Sequence, residues 1–367
     1  MHVDAIVIGA GPAGLATSRE LARRRVAHVV LERGRAGESW RNCYDSLRLH
    51  TGRHLSKLPG RPFPRGTPLF PSRDDLVRYL EEYAQVFGLP VREGAAVEAA
   101  APANGGWRVR LSSGEELAAR AVVVATGIMS NPYIPDIPGR DAFTGRVIHS
   151  IAYRNPEPYR GRRVLVVGVG NSGGEIASEL GRAGVDVTIA IRSGANVVPL
   201  TIAGVPIQYL SWLIRRLPRS VRERIAAAVR RVSDKRRGPP PFPRPAHSPL
   251  DAIPLIGFHL VDAIRAGQVA MQGTPVAFTS SGVRFDDGSE QPFDDVILAT
   301  GFRAALGILQ GRVRTDARGF ALRVDRVRSA DLPGLCFVGH NYDTVGGLRN
   351  IYIDAPLAAE AVARAVR

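Results

Sequence analysis

The chain has 367 residues, of which 45% are apolar and 23% charged, a balance that excludes a disordered polymer and leaves length for two or three cored domains. Its formal net charge is +15, yet 47 of the 49 basic residues are arginine and only Lys57 and Lys235 are lysine, a bias that reads as genomic base composition. With no RNA-binding or zinc-finger pattern beside that charge, no nucleic-acid partner is expected, and no apolar run approaches the ~20 residues of a membrane-spanning helix.

The first element is an apolar strand ending at Ile8, followed by Gly9-Ala10-Gly11-Pro12-Ala13-Gly14, a helical stretch to about Arg25 and a strand over 28–32. Residues 122–124 form a second buried strand that empties into Ala125-Thr126-Gly127. The first pattern then recurs: strand 163–167, turn Gly168-Val169-Gly170-Asn171-Ser172-Gly173, helix through about Ala183, strand 186–192. Residues 200–260 depart from this alternation. The spacing predicts a basic amphipathic helix over 215–237, and the proline run from Gly238 to Pro245 suits neither helix nor central strand. Residues 213–237 carry ten basic side chains against two acidic ones, over half of the net charge. This excursion is expected to be mobile, near a substrate entrance or a surface, its helix either a solvated face or a weak contact with a membrane surface. A last buried strand, 296–298, ends in Ala299-Thr300-Gly301.

The fold class expected is α/β, with two dinucleotide-binding Rossmann-like domains. The second lies within the first in sequence, so that 1–158 and 294–367 form the outer domain and 159–293 the inserted one. Cys43 and Cys336 are far apart and form no C-x-x-C, so neither a disulfide framework nor a redox dithiol is expected; no metal site is expected either. The N-terminus enters its strand without a basic leader, which implies a cytoplasmic location.

A G-x-G-x-x-G pattern is weak by itself among 39 glycines. Context strengthens it, because both turns join an apolar strand to a helix, where glycine permits the tight turn and lets backbone amides approach a pyrophosphate. Glu32, 18 positions after Gly14, suits the adenosine ribose of FAD or NAD. The same interval from Gly173 reaches Ile191, followed by Arg192 and Ser193, which suit the 2′-phosphate of NADPH. Two such sites imply hydride passage from nicotinamide to flavin, and without a dithiol the default acceptor is molecular oxygen.

Phe143-Thr144-Gly145-Arg146-Val147-Ile148-His149-Ser150-Ile151-Ala152-Tyr153 fits F-x-G-x-x-x-H-x-x-x-Y, which chance would give roughly 0.0007 times in a chain of this composition. It resembles the identifying sequence of the class B flavin-containing monooxygenases. The resemblance covers nearly the whole chain, through Glu32-Arg33-Gly34 to Ser39-Trp40, the turn from Gly168 to Glu175 and both Ala-Thr-Gly segments. Within that family the pattern is closest to the YUCCA-type indole-3-pyruvate monooxygenases, on Tyr44 to His50, Arg192-Ser193 with Val197-Val198-Pro199, and Gly334 to Gly339. His50 stands where animal-type members have asparagine. Tyr153-Arg154 replaces the Trp-Pro or Trp-Asp of Baeyer–Villiger relatives, which disfavours ketone esterification. The stretch 200–260 matches poorly.

The resemblance implies an enzyme in which NADPH reduces FAD, oxygen adds at the flavin C4a to give a (hydro)peroxide, and one oxygen atom passes to a small organic substrate. The transfer is either N- or S-oxygenation or oxidative decarboxylation of a 2-oxo acid. Cofactor-binding residues so implied are Gly9, Gly11, Pro12, Ala13, Gly14, Glu32, Arg33, Ser39, Trp40, His50, Thr51, Ala125, Thr126, Gly127, His149, Gly168, Gly170, Asn171, Ser172, Gly173, Glu175, Arg192, Ser193, Ala299, Thr300, Gly301 and Tyr342. His50 is the candidate catalytic residue, tuning the peroxide through a proton or hydrogen bond, against a packing role. His149 is expected to brace NADPH and the hinge, Asn171 and Ser172 to contact pyrophosphate, and Tyr342, Asp343 and Asn350 to face flavin or substrate. The rival readings are an NADPH oxidase releasing hydrogen peroxide and a non-catalytic flavin-binding module at a membrane.

Overall fold

The structure, a computed structural model, describes residues 3–248 and 250–367. The chain falls into two units, one made of Met1–Asn42, Leu47–Asn131 and Phe302–Arg367, the other of Cys43–Ser46 and Pro132–Gly301.

In the first unit the strands Ala5–Ile8 and Ala121–Val124 are buried at every position, the mark of a sheet covered on both faces. Five parallel strands run in the order Leu335–Phe337, Ala121–Val124, Ala5–Ile8, His28–Leu31, Val91–Arg92. Alternation divides their side chains between two layers. Ala5, Val7, Val30, Val123 and Cys336 pack with residues of the helices Pro12–Arg23, Arg73–Val86 and Gly347–Ala365. Ile6, Ile8, Val29, Val122 and Phe337 pack with Ala100, Trp107, Val109 and Leu117 of an antiparallel sheet, Val97–Ala103, Gly106–Leu111 and Glu116–Ala119.

The second unit repeats the plan. Its parallel sheet has the order Ala270–Gln272, Asp186–Ala190, Arg163–Val167, Asp295–Leu298, Arg146–His149. Leu165, Val296 and Leu298 join Phe278, Val283 and Phe285 of a second three-stranded antiparallel sheet in one core. The helix Asn171–Arg182 packs on the strands Arg163–Val167 and Asp186–Ala190 and on the helix His259–Arg265. Buried Asp295 is paired with Arg146 at 2.7 Å and with Arg162. Tyr133 N–H donates to the Gly301 carbonyl at 2.9 Å, so the unit's long segment enters and leaves side by side.

The expected boundaries at 158/159 and 293/294 differ from those observed at 131/132 and 301/302. The reason is register: Arg146–His149 pairs with Asp295–Leu298, so the segment around the fingerprint and the second Ala-Thr-Gly approach both build the second sheet. In the excursion, two helices replace the one expected over 215–237, Ile207–Ile214 and Arg219–Arg237, because Pro218 stands between them and starts the second. The proline run forms neither helix nor strand, as expected, but Phe242 within it is buried. Among the described residues no helix is long and apolar enough to cross a membrane.

Candidate functional site

A cleft of about 570 Å3 opens at the carboxyl ends of the first unit's strands. Gly9, at φ +104°, leaves no room for a Cβ, which would lie 2.6 Å from the Ala125 carbonyl oxygen. A Cβ on Gly14 would lie 1.8 Å from the Gly9 carbonyl, whereas one on Gly11 would meet nothing within 4 Å. The outer two glycines therefore close the turn, and the middle one keeps an open approach to the helix end. That helix, Pro12–Arg23, has Pro at its start and no side-chain cap, so its amino end presents backbone amides to an anion.

Glu32, at the next strand's end, accepts from Ala10 N–H at 2.7 Å and Gly34 N–H at 3.0 Å, which holds its carboxylate against the cleft. Arg33, Ser39, Trp40, Thr51, Ala125, Thr126, Gly127 and Tyr342 line the cleft with Gly9, Gly11, Pro12 and Ala13. Thr126 Oγ1 donates to the Ala305 carbonyl at 2.7 Å, and Asn131 Nδ2 to that of Ala304 at 2.9 Å, which ties two walls together. The sequence reading missed the apolar lining from Met129, Ile308, Leu348 and Ile351, side chains with no chemical signature.

His50 is half-buried and lies between Leu49 and Thr51, both cleft-lining, but is not itself among the lining groups. Asp343 and Asn350 do not face the cleft as expected. Buried Asn350 donates from Nδ2 to Asp343 Oδ1 and the Asn341 carbonyl, each at 2.9 Å, and accepts from Arg326 at 3.1 Å, which clamps the loop before the last helix.

The second unit's turn has the same geometry. Gly168 is at φ +109°, and its Cβ would lie 2.6 Å from the Ala299 carbonyl oxygen; one on Gly173 would lie 2.0 Å from that of Gly168; one on Gly170 would meet nothing within 4 Å. The helix Asn171–Arg182 likewise starts without a side-chain cap. The Asn171 side chain is engaged elsewhere: Nδ2 donates to the Pro254 carbonyl at 3.1 Å and Oδ1 accepts from Ile256 N–H at 2.8 Å. Glu175 accepts from the Tyr44 hydroxyl and is thus a structural acceptor, not a free ligand.

The fingerprint proves to be a set of fasteners. Phe143 packs on Phe278, with ring centroids 5.2 Å apart, and a Cβ on Gly145 would strike the Phe143 ring at 2.4 Å. Buried His149 bonds through Nε2 to the Gly301 carbonyl at 3.0 Å while Nδ1 accepts from Ile151 N–H at 3.2 Å. Those roles describe a neutral ring, and burial lowers its pKa. Tyr153 donates to Glu179 at 2.9 Å, one helical turn beyond the Glu175 that Tyr44 reaches. Burial, reinforced by these carboxylates, raises both phenol pKa values, so the hydroxyls remain donors.

At the second unit's next strand end, Arg192 and Ser193 are exposed, and among the described residues no acid pairs with Arg192. Their turn is pinned by the proline run. Gly194 is at φ +74°, and a Cβ there would lie 1.6 Å from the Pro243 carbonyl oxygen. The run is itself held by Arg265, which donates to the Pro239 carbonyl at 2.8 Å, and by Arg244 paired with Asp234 at 2.7 Å.

Cys43 and Cys336 are buried and form no disulfide, and among the described residues no group of three metal-ligating side chains exists.

The family described as pyridine nucleotide-disulphide oxidoreductase matches residues 6–235. Indole-3-pyruvate monooxygenase YUCCA1 of Oryza sativa subsp. japonica is 39% identical over 311 residues, covering 82% of this chain and 77% of that protein. Probable indole-3-pyruvate monooxygenase YUCCA1 of Arabidopsis thaliana is 35% identical over 311 residues, covering 82% and 75%. Among solved structures, a flavin-containing monooxygenase from Stenotrophomonas maltophilia matches with a TM-score of 0.78 at 27% identity, over 98% of each chain.

Proposed function

Because this chain belongs to the flavin-containing monooxygenase family, alongside its YUCCA indole-3-pyruvate members, we propose that it uses NADPH and dioxygen to decarboxylate a 2-oxo acid oxidatively. The observation that carries the reading is the pair of glycine turns with the same contacts, one per unit, each keeping its middle glycine open before an uncapped helix. Both features fit the pyrophosphate of a dinucleotide.

In this reading each unit is a Rossmann-like dinucleotide domain. The first unit's cleft would hold FAD, with Gly9, Gly11, Pro12, Ala13 and Gly14 toward its pyrophosphate, Glu32 toward its ribose, and Arg33, Ser39, Trp40, Thr51, the Ala125-Thr126-Gly127 turn and Tyr342 lining the rest. Gly168, Gly170, Asn171, Ser172 and Gly173 would hold NADPH, with Arg192 and Ser193 available to its 2′-phosphate. When bound and reduced, the flavin supplies the oxygen activation. The apolar walls of the cleft exclude water, and the neutral His149 holds Gly301, and with it the Ala299-Thr300-Gly301 turn, against the second unit's sheet. His50, on the segment between Leu49 and Thr51, is the proposed proton-controlling group. The 2-oxo acid follows from the relatives' named substrate, and a cytoplasmic location belongs to the same reading.

In the overall reaction a 2-oxo acid, dioxygen, NADPH and a proton give the acid one carbon shorter, carbon dioxide, NADP+ and water. The test is oxygen uptake by the yellow purified protein with NADPH and a panel of 2-oxo acids, including indole-3-pyruvate, beside amines and sulfides. One carbon dioxide per NADPH with a 2-oxo acid is the expected result. Oxygenation of an amine or sulfide alone would overturn the substrate class, and hydrogen peroxide as the only product across the panel would favour an oxidase. For His50, His50→Ala is expected to shift the product balance toward peroxide several-fold; unchanged coupling leaves it a packing residue.

A further inference from the structure

The helix Arg219–Arg237 has no fully buried residue and lies within the segment that carries most of the net charge. Its two acids are consumed within the chain: Glu223 accepts from Arg219 at 2.9 Å, and Asp234 pairs with Arg244 at 2.7 Å. Among the described residues no acid pairs with Arg224, Arg231, Lys235 or Arg236.

Between Val221 and Lys235 the exposed positions are Val221, Arg224, Ala228, Arg231, Val232 and Lys235, and at 3.6 residues per turn they fall within an arc of about 100°; Arg219, Ser220, Arg236 and Arg237, at the helix ends, are exposed outside it. The positions between these, Arg222, Ile225, Ala226 and Val229 among them, are half-buried. Upstream of this stripe, Leu213 and Leu217 are 70% and 42% exposed, and within it Val221 and Val232 are 37% and 54% exposed. Cations alone would suit any polyanion. Cations interleaved with large apolar side chains on one exposed arc suit a surface that is anionic at its top and apolar beneath.

We propose that this face, from Leu213 to Lys235, docks on an anionic lipid bilayer, the valines and leucines entering the headgroup boundary and the arginines and Lys235 meeting lipid phosphates. The assignment does not depend on which substrate the enzyme takes. The flavin-loaded protein should sediment with phosphatidylcholine vesicles containing phosphatidylglycerol, not with phosphatidylcholine alone, and less at high salt. Arg224→Gln, Arg231→Gln and Lys235→Gln together should lower the partition roughly 100-fold. Leu217→Ser with Val221→Ser and Val232→Ser, at unchanged charge, should lower it on the order of tenfold or more. Retained flavin absorbance and NADPH-dependent oxygen uptake show that both variants are folded. Failure to sediment with anionic vesicles overturns the proposal, as does sedimentation that survives either set of substitutions. Binding that heparin abolishes but the serine set leaves intact would overturn it in favour of a polyanion partner.

Discussion

At the residue scale, the glycine turns separate what folding needs from what binding needs. Gly14→Ala and Gly173→Ala drive a methyl into backbone carbonyls that cannot retreat, so each should cost about 3 kcal/mol or more, read as a fall in thermal midpoint. Gly11→Ala and Gly170→Ala meet open space and should cost about 1 kcal/mol, yet lower flavin or NADPH affinity at least tenfold on the order expected for a blocked amide approach. Equal stability losses at all four positions would contradict that division. These roles were legible in the sequence because strand, turn and helix came in order. What Glu175 and the Asn171 amide do was not, since their partners Tyr44, Pro254 and Ile256 are remote in the chain and no local spacing predicts them.

His340 offers a second residue-scale test. It is 3% exposed, packs on Phe337 and Phe320, and has no hydrogen-bond partner for either ring nitrogen among the described residues. Burial, with Arg323 nearby, pushes its pKa down to about 3. The unfolded chain therefore binds the extra proton first, and stability is intact above the unfolded value near 6.5 and is lost as pH falls from there toward 3. His149 acts in the same direction, its folded pKa also being lowered by burial. Each histidine can cost up to about 1.4 kcal/mol per pH unit in that window. His340→Leu should hold the midpoint at pH 7.5 and flatten its fall toward pH 5, measured by thermal denaturation. An unchanged slope would place the acid sensitivity elsewhere.

At the scale of elements, the proline run shows where composition misleads. Read alone, Gly238 to Pro245 is an unstructured excursion; folded, its Pro243 carbonyl sits against Gly194 and Phe242 is buried beside it in sequence. Rigid prolines make a good buttress because their φ is already fixed. If this strap sets the Arg192-Ser193 turn, Gly194→Ala should raise KM for NADPH several-fold while leaving KM for NADH and kcat nearly unchanged. Arg192→Ala should do the same more strongly, about tenfold or more, through loss of a charge-assisted contact. Parallel changes with both nucleotides would sink the 2′-phosphate assignment. The antiparallel sheets at 97–119 and 275–292 escaped the sequence reading for a similar reason, as their alternating, half-polar strands lack the unbroken apolar runs of the parallel ones.

At the scale of the molecule, the repeated strand–turn–helix plan was readable and the junctions were not. A strand's own residues do not reveal which sheet it joins, and Arg146–His149 belongs with Asp295–Leu298, over a hundred residues later. Cys43 and Cys336 form no C-x-x-C, and the fold adds a reason for low thiol reactivity. Both are buried, and burial pushes the Cys336 thiol up to about 12, leaving almost no thiolate at neutral pH. NADPH-dependent oxygen uptake should therefore survive iodoacetamide within about twofold under native conditions, whereas turnover through a cysteine pair would be abolished.

The hydrogen bond from Tyr133 to Gly301 has a genetic corollary. A segment whose two ends meet can be spliced into a gene at one point, or lifted out and replaced by a short turn, without stretching the host chain. Only Cys43–Ser46, which keeps Tyr44 on Glu175, would be left behind as the scar of such an exchange. Swapping 132–301 between relatives should therefore succeed most readily when those four residues travel with it.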